Sequence, residues 1–502
     1  MVRARPVLAV GFAGAMLAVG EIEGVEDRLR DSERRLDTTT GIRGRSPTPP
    51  AEILDDEEFR RLPAVIELYR TALALTRGDG VSTVRDAQRA FDLSPEDDHL
   101  VRAGAAGLLG LAYWASGDLE AAHRWYTECV AGLLQAGHTA DTFGCALALA
   151  DIRLAQGRLS EAIRTYENAL RRAPLEGGPI LRGTADMYEG MSELRLESDD
   201  LPAATQALLR SQELGGPIGL PQYRYRSRVA AARIRTAEGD PVGALHLLDE
   251  AERVYVSDCF PNVRPIPALK ARLHLARGES GEALVWVRES GLSVQDDLSY
   301  LREFEHITLA RVLLAGCATE GSQPALHEVT QFLERLLTAA KEGAGREASS
   351  SSGCFCRSPT RNEGTALPRS HHWNAVTLAE PEGCVRVIVD EGPPMASLLK
   401  GLAKQATARD YVRRLHAAIT TLEHRPADRP GLIEPLSERE LDVLRLLGTD
   451  LDGPDIAQEL LVSLSTVRTH TQKIYAKLGV NNRRAAVRVA EELNLLPRSG
   501  GR

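Results

Sequence analysis

Arg468, Thr469, Gln472 and Lys473 fall on one side of the segment SLSTVRTHTQKIYAKLGV, residues 463–480. Val467, Thr471, Ile474 and Leu478 recur on the other side at intervals of four, three and four. The second set predicts a helix with one face on a core. The first set has a definite chemistry: an Arg guanidinium can donate two hydrogen bonds to a guanine edge, and a Gln amide can pair with adenine. Lys473, Lys477 and Arg483 suit phosphates, which fix position without reading sequence. The segment lies in a run without Asp or Glu, residues 460–490, that also holds Arg484 and Arg488 and is flanked by Glu459 and Glu491. The whole chain carries a net charge of −9, so contact with a polyanion must be local. A charge run alone reads as a solvated helix face; the neighbouring elements decide between the two.

Those elements read as three further short helices. Ser437 caps the first, with Glu440 three residues on as a capping box and Leu441, Leu444 and Leu447 on one face. Asp452 caps the second, with Pro454 in its first turn and Ile456, Ala457 and Leu460 inward. Ser463 caps the helix described above, and a fourth follows Asn481 and Asn482, from Arg483 to about Leu493. A short helix held by a preceding helix and turn, with Arg, Thr and Gln outward near its start, suits insertion into a major groove.

The stretches LSERELDVLRLL and IAQELLVSLSTVRTHTQKIYAKLGVNNRRAAV closely resemble the LuxR-type helix-turn-helix domain. STVRTH and IYAKLGV are especially similar to the MalT-like branch of those regulators. Upstream, DCFPNVRPIPALKARLHLARG and DDLSYLREFEHITLARVLL look like that branch's helical-repeat region. The resemblance implies a cytoplasmic transcription regulator. It assigns base reading to Arg468, Thr469 and Gln472, and places Thr466, His470 and Lys473 against the DNA backbone. The implied partners are double-stranded promoter DNA, RNA polymerase, a second copy of the chain on DNA, and a small-molecule or protein signal. Pairing of two copies would use Ala486, Val489, Ala490 and Leu493. The chain departs from the family in three residues: Cys384 for a Tyr, Thr471 for an aliphatic residue and Asp450 for a Gly. The family's ATPase module has no counterpart, because no G-x-x-x-x-G-K-[ST] loop occurs, and no cofactor is expected.

The body of the chain is repetitive. Turn residues Gly20, Gly78, Gly117, Gly157, Asp199, Gly239 and Gly278 are spaced 58, 39, 40, 42, 40 and 39 apart. A period near 40 with a Gly turn predicts paired antiparallel helices stacked as a tetratricopeptide-like α-solenoid. Ala122, Ala162, Ala244 and Ala283, five residues after their turns, would let helices approach closely, with Leu119, Trp125, Tyr126, Leu159, Ile163 and Tyr166 as core. The repeat after Gly78 fits least well, its apolar residues falling at Val81 and Val84. Only 5% of the chain is aromatic against 43% hydrophobic, which also favours helix, and the fold class is all-α. The expected organisation is a repeat-like helix pair at 1–35, a flexible insertion at 36–53 and the solenoid at 54–340. An irregular segment at 341–373, a terminal helical segment at 374–423, a linker at 424–434 and the helix-turn-helix domain at 435–498 complete it.

Other readings recede. The N-terminal MVRARPVLAVGFAGAMLAVG has the outline of a signal peptide, but the residues after it match later repeats. Seven scattered cysteines read as reduced thiols. Cys354, Cys356, His371 and His372 lack the usual structural-zinc spacing, so no metal is expected. Tyr223 to Arg228 (YRYRSR) reads as a helix with a wet side rather than a ligand platform. Neither His-Glu-x-x-His nor Gly-x-Ser-x-Gly occurs, so the chain is not read as an enzyme. The alternative to a regulator is a solenoid scaffold for protein interaction whose terminal domain no longer reads DNA.

Overall fold

The computed structural model describes residues 6–43, 56–172, 180–215, 219–257, 260–320, 323–344, 376, 379–391, 395–396, 399–400, 409–424, 438–449, 451–460, 462–478, 480 and 482–492. All regular structure among them is helical. They form two compact units: Met1–Ala237 with Pro241–Thr420, and Glu238–Asp240 with Thr421–Arg502.

The first unit is a series of helix pairs. They are α1 (Pro6–Ala18) with α2 (Val25–Arg43), α3 (Asp56–Thr76) with α4 (Gly80–Leu93), and α5 (His99–Ser116) with α6 (Leu119–Gln135). Next come α7 (Asp141–Ala155) with α8 (Leu159–Arg172), α9 (Thr184–Glu197) with α10 (Leu201–Leu214), and α11 (Tyr223–Glu238) with α12 (Pro241–Arg253). The series ends with α13 (Ile266–Ala276) and α14 (Ser280–Ser290), then α15 (Glu303–Glu320) and α16 (Gln323–Ala344). A one-turn helix, α17 (Arg386–Val389), and α18 (Arg409–His424) follow.

Every predicted turn residue has positive φ, including Asp199 at 61°, the one non-glycine among the described residues to do so. Gly is preferred there because a Cβ crowds the following carbonyl. The amide after the turn then reaches back five residues: Asp118 N donates to Tyr113 O at 2.9 Å and Arg158 N to Arg153 O at 2.8 Å. These bonds satisfy carbonyls left over at the end of the first helix. An Asp often opens the second helix: Asp79, Asp118 and Asp200 accept from the backbone N of Ser82, Ala121 and Ala203.

The small residue five after each turn is fully buried at Ala122, Ala162, Ala244 and Ala283. Leu159, Tyr126 and Tyr166 are also buried, as expected, while Trp125 and Ile163 are only half-buried. Three expectations need correction. Val81 is 82% exposed, and Thr83, Ala87 and Ala90 fill the interior of α4 instead. Helix α2 continues to Arg43, so residues 36–43 are helical rather than insertion, with Leu36 packed into the α1–α3 core. The irregular segment begins later than expected too, since α16 runs to Ala344; Cys354, Cys356, His371 and His372 lie outside the described residues. The apolar N-terminal helix α1 packs Val10, Ala13 and Met16 against Leu29, Leu62 and Ile66.

Close approach has a sharp test at Gly110. A Cβ there would lie 2.7 Å from Cδ2 of the buried Tyr126 ring. Gly110→Ala is expected to destabilise the solenoid by about 1–3 kcal/mol through overpacking. Urea unfolding followed by circular dichroism reads this, and an unchanged midpoint would contradict it.

Candidate nucleic-acid interface

The second unit holds α19 (Glu438–Leu447), α20 (Gly453–Glu459), α21 (Leu464–Leu478) and α22 (Arg483–Glu492). Asp452 accepts from Asp455 N at 3.0 Å, and the Asp455 carboxylate accepts in return from Asp452 N. This is a capping box, with an Asp where Glu or Gln is usual. Ser463 accepts from Thr466 N at 3.2 Å, which starts α21 directly after the turn. Asn482 caps α22 through Ala485 N at 2.8 Å.

The core is made by Val443, Leu444, Leu447, Ile456, Ala457, Val467, Ile474, Ala486 and Ala490. Leu441, expected inward, is half-buried, and Val443 takes its place. Thr471 stands on the core face of α21 but is only half-buried, its hydroxyl donating to Val467 O at 2.8 Å. That internal bond satisfies the hydroxyl within the helix. Ser437, Asp450, Leu493 and the side chains of Leu478 and Val489 lie outside the described residues.

Of the expected contact residues, Arg468, Thr469, Gln472 and Lys473 are exposed, and Thr466 and His470 are half-buried. Thr469 donates to Ser465 O at 3.0 Å, and the Thr466 hydroxyl meets Ser463 Oγ at 2.7 Å. Among the described residues neither Arg468 nor Lys473 has a carboxylate partner, so both cations face solvent unneutralised.

Four expected site residues have other work inside the domain. Lys477 Nζ lies 2.9 Å from Glu440 Oε2, the side chains 17% and 5% exposed, so it ties α21 to α19 instead of meeting phosphate. Arg483 donates to Leu447 O at 2.9 Å, Leu451 O at 2.7 Å and Thr449 O at 2.6 Å. Its guanidinium thus gathers the last carbonyl of α19 and two from the loop after it, at a helix end where a cation is favoured. Ala486 and Ala490 are 0% exposed and belong to the domain's own core, so they cannot form a surface for a second copy.

Sequence reading missed a second polar site, in the solenoid. Arg226 of α11 is half-buried: its Nε is 3.3 Å from Glu189 Oε2 of α9, and its Nη2 is 3.5 Å from Asp151 Oδ2 of α7. Asp186, one turn before Glu189, accepts from Leu220 N at 3.0 Å. Tyr166 Oη and both Glu189 oxygens are buried without a hydrogen-bond partner. Burial pushes the Glu189 carboxyl up to about 8 against the pull of Arg226. The only sequence clue was Arg226 in YRYRSR, expected on a wet face.

Farther along, residues 382–391 lie across the repeats. Val385 N donates to Glu197 O and Val387 N to its carboxylate, both at 2.8 Å. Arg233 holds the other Glu197 oxygen at 3.1 Å, Arg414 reaches Ser198 O at 2.7 Å, and Glu382 accepts from Ser160 N at 3.0 Å.

A helix-turn-helix unit and a helical-repeat solenoid in one chain define a class of regulator-like architecture. Residues 64–405 match the family described as MalT-like TPR region, and residues 434–490 match bacterial regulatory proteins, luxR family. The chain belongs to the MalT-like TPR-region family. It is 24% identical over 472 residues to the HTH-type transcriptional regulator MalT of Serratia proteamaculans, covering 87% of this chain and 50% of that protein. The MalT of Yersinia pestis is 24% identical over 469 residues, with 86% and 50% covered. The chain therefore spans about half the length of the curated relatives it matches. Among solved structures, a Rap protein complexed with competence and sporulation factor aligns over 83% of this chain and 98% of its own, at 10% identity and a TM-score of 0.45.

Two outcomes follow for stability. Lys477→Ala is expected to destabilise the second unit by roughly 3 kcal/mol by removing the cation from a largely buried ion pair with Glu440, whereas Lys473→Ala changes it by less than about 0.5 kcal/mol. Amide hydrogen exchange in the full chain separates them, and equal effects would refute the division. At Glu189 the folded state keeps a proton that the unfolded chain releases above its ordinary value of 4.5. Its contribution is thus present in full below 4.5 and is lost as pH rises to about 8. Glu189→Gln should match the parent near pH 4.5 and become more stable than it by a few kcal/mol (on the order of 3) near pH 8. Urea midpoints at three pH values test this, and a parallel pH profile would overturn it.

Proposed function

We propose that the chain is a DNA-binding transcription regulator whose solenoid receives a small-molecule or protein signal. In this reading α21 lies in the major groove of promoter DNA, with Arg468, Thr469 and Gln472 at base edges. Thr466, His470 and Lys473 lie along the backbone. What carries it is the division of cations on α21: Lys477 is held inside by Glu440, while Arg468 and Lys473 stand outward among Thr and Gln with no acidic partner among the described residues. A merely solvated helix gains nothing from excluding carboxylates from its face, whereas a surface for a polyanion does. The luxR-family match over 434–490 supports the same reading.

The coarser features agree. Regulators with this name are similar along most of the chain, and no helix among the described residues is long and apolar enough to cross a membrane. Our reading places the protein in the cytoplasm, working with RNA polymerase and without a catalytic step of its own. Two copies on a two-fold operator would pair through α22 side chains other than Ala486 and Ala490, which face inward.

Fluorescence anisotropy of the full chain against promoter fragments at two salt concentrations tests the proposal. Arg468→Ala should lose about 1–3 kcal/mol of discrimination at one base pair. Lys473→Ala should weaken all fragments alike and lower the salt slope by about 1. A scaffold would give weak binding that neither substitution alters.

A further inference from the structure

Cys129 on α6 and Cys145 on α7 bring their sulfurs to 3.6 Å. They come from neighbouring antiparallel helices of successive repeats, joined by the turn at residues 136–140. Cys129 is buried against Ala103, Ala106 and Leu133, while Cys145 at the edge of the same cluster is half-buried. Packing does not require two thiols here, since the surrounding core of the repeats is built from Ala and Leu. A disulfide needs the sulfurs at about 2 Å, so the two must close by about 1.6 Å. The partial exposure of Cys145 leaves a way in for a small oxidant.

We infer that Cys129 and Cys145 form a site of reversible covalent modification, oxidised by hydrogen peroxide to an intramolecular disulfide that bridges two repeats. The hydrogen bond between the thiols holds Cys129 below the ordinary thiol range and Cys145 above it, and burial pushes Cys145 further up. Either sulfur can be the donor in that contact, and the thiol that ionises acts first. Its thiolate attacks a peroxide oxygen, the O–O bond breaks, and the released hydroxide takes the thiol proton to leave as water. The resulting sulfenic acid is attacked by the second sulfur; the S–O bond breaks, the S–S bond forms, and a second water carries away that thiol's proton. Two thiols and one hydrogen peroxide thus become one disulfide and two waters, and a dithiol reductant reverses the change.

Both residues fall in one tryptic peptide, residues 125–153, because no Lys or Arg lies between Arg124 and Arg153. The test treats the full folded chain with hydrogen peroxide, blocks remaining thiols by alkylation, digests, and weighs that peptide without reduction. The expected product lacks two hydrogens, resists alkylation and regains both thiols with dithiothreitol. Cys129→Ser and Cys145→Ser should each abolish it, and the chain unfolded in urea should form it several-fold more slowly. The inference is overturned if both thiols stay open to alkylation, if they overoxidise without bridging, or if the unfolded chain bridges as fast as the folded one.

Discussion

A backbone conformation that L-residues avoid recurs along the solenoid, and the stacking of the helices depends on it. At Gly20, Gly78, Gly117, Gly157, Asp199 and Gly278 the chain takes positive φ, and the next amide donates to a carbonyl five residues back at 2.8–3.0 Å. That closure ends one helix and turns the chain about within two residues. The next helix can then lie antiparallel, with a small residue at the contact. The repeats after Gly117, Gly157, Gly239 and Gly278 all place a fully buried Ala at the same distance from the turn. Asp199 shows what the position tolerates: its short polar side chain accepts the conformation and lies 3.5 Å from Arg386.

Helices held this closely also bury charge, which is tolerable only in pairs. Arg226 stands between Glu189 and Asp151, and Arg233 and the backbone of residues 385–387 share Glu197. These acids come from α7 and α9, the first helices of successive pairs, so the pairing across repeats sets their spacing. At Glu189, whose carboxylate oxygens are buried without a hydrogen bond, burial raises the carboxyl's pKa in spite of Arg226.

In the small C-terminal unit the same economy separates cations by depth. Lys477 and Arg483 are drawn inward, one to a carboxylate and the other to carbonyls at the end of α19 and in the loop after it. The residues left outward near the start of α21 are those whose chemistry suits nucleic acid. Acid-free sequence around α21 thus has two causes: an outward surface kept free of carboxylates, and internal cations answered by partners from other helices.

The repeat period, the turn positions and the order of the four short C-terminal helices were legible in the sequence because they are local. A positive φ, a cap three residues from the amide it serves and a core stripe at helical spacing depend on residues within a turn or two. Which cations stayed outside was not legible, because Glu440 and Lys477 are 37 residues apart and meet only when α19 packs on α21. Nor was the burial of Ala486 and Ala490, since small residues look alike on a core face and on a pairing face. The Arg226 cluster and the Cys129–Cys145 pair were silent for the same reason. The sequence by itself determined the helices, their turns and the chemistry available on each. Only the tertiary structure decided which charges and thiols became neighbours, because contacts between helices depend on how the turns stack them.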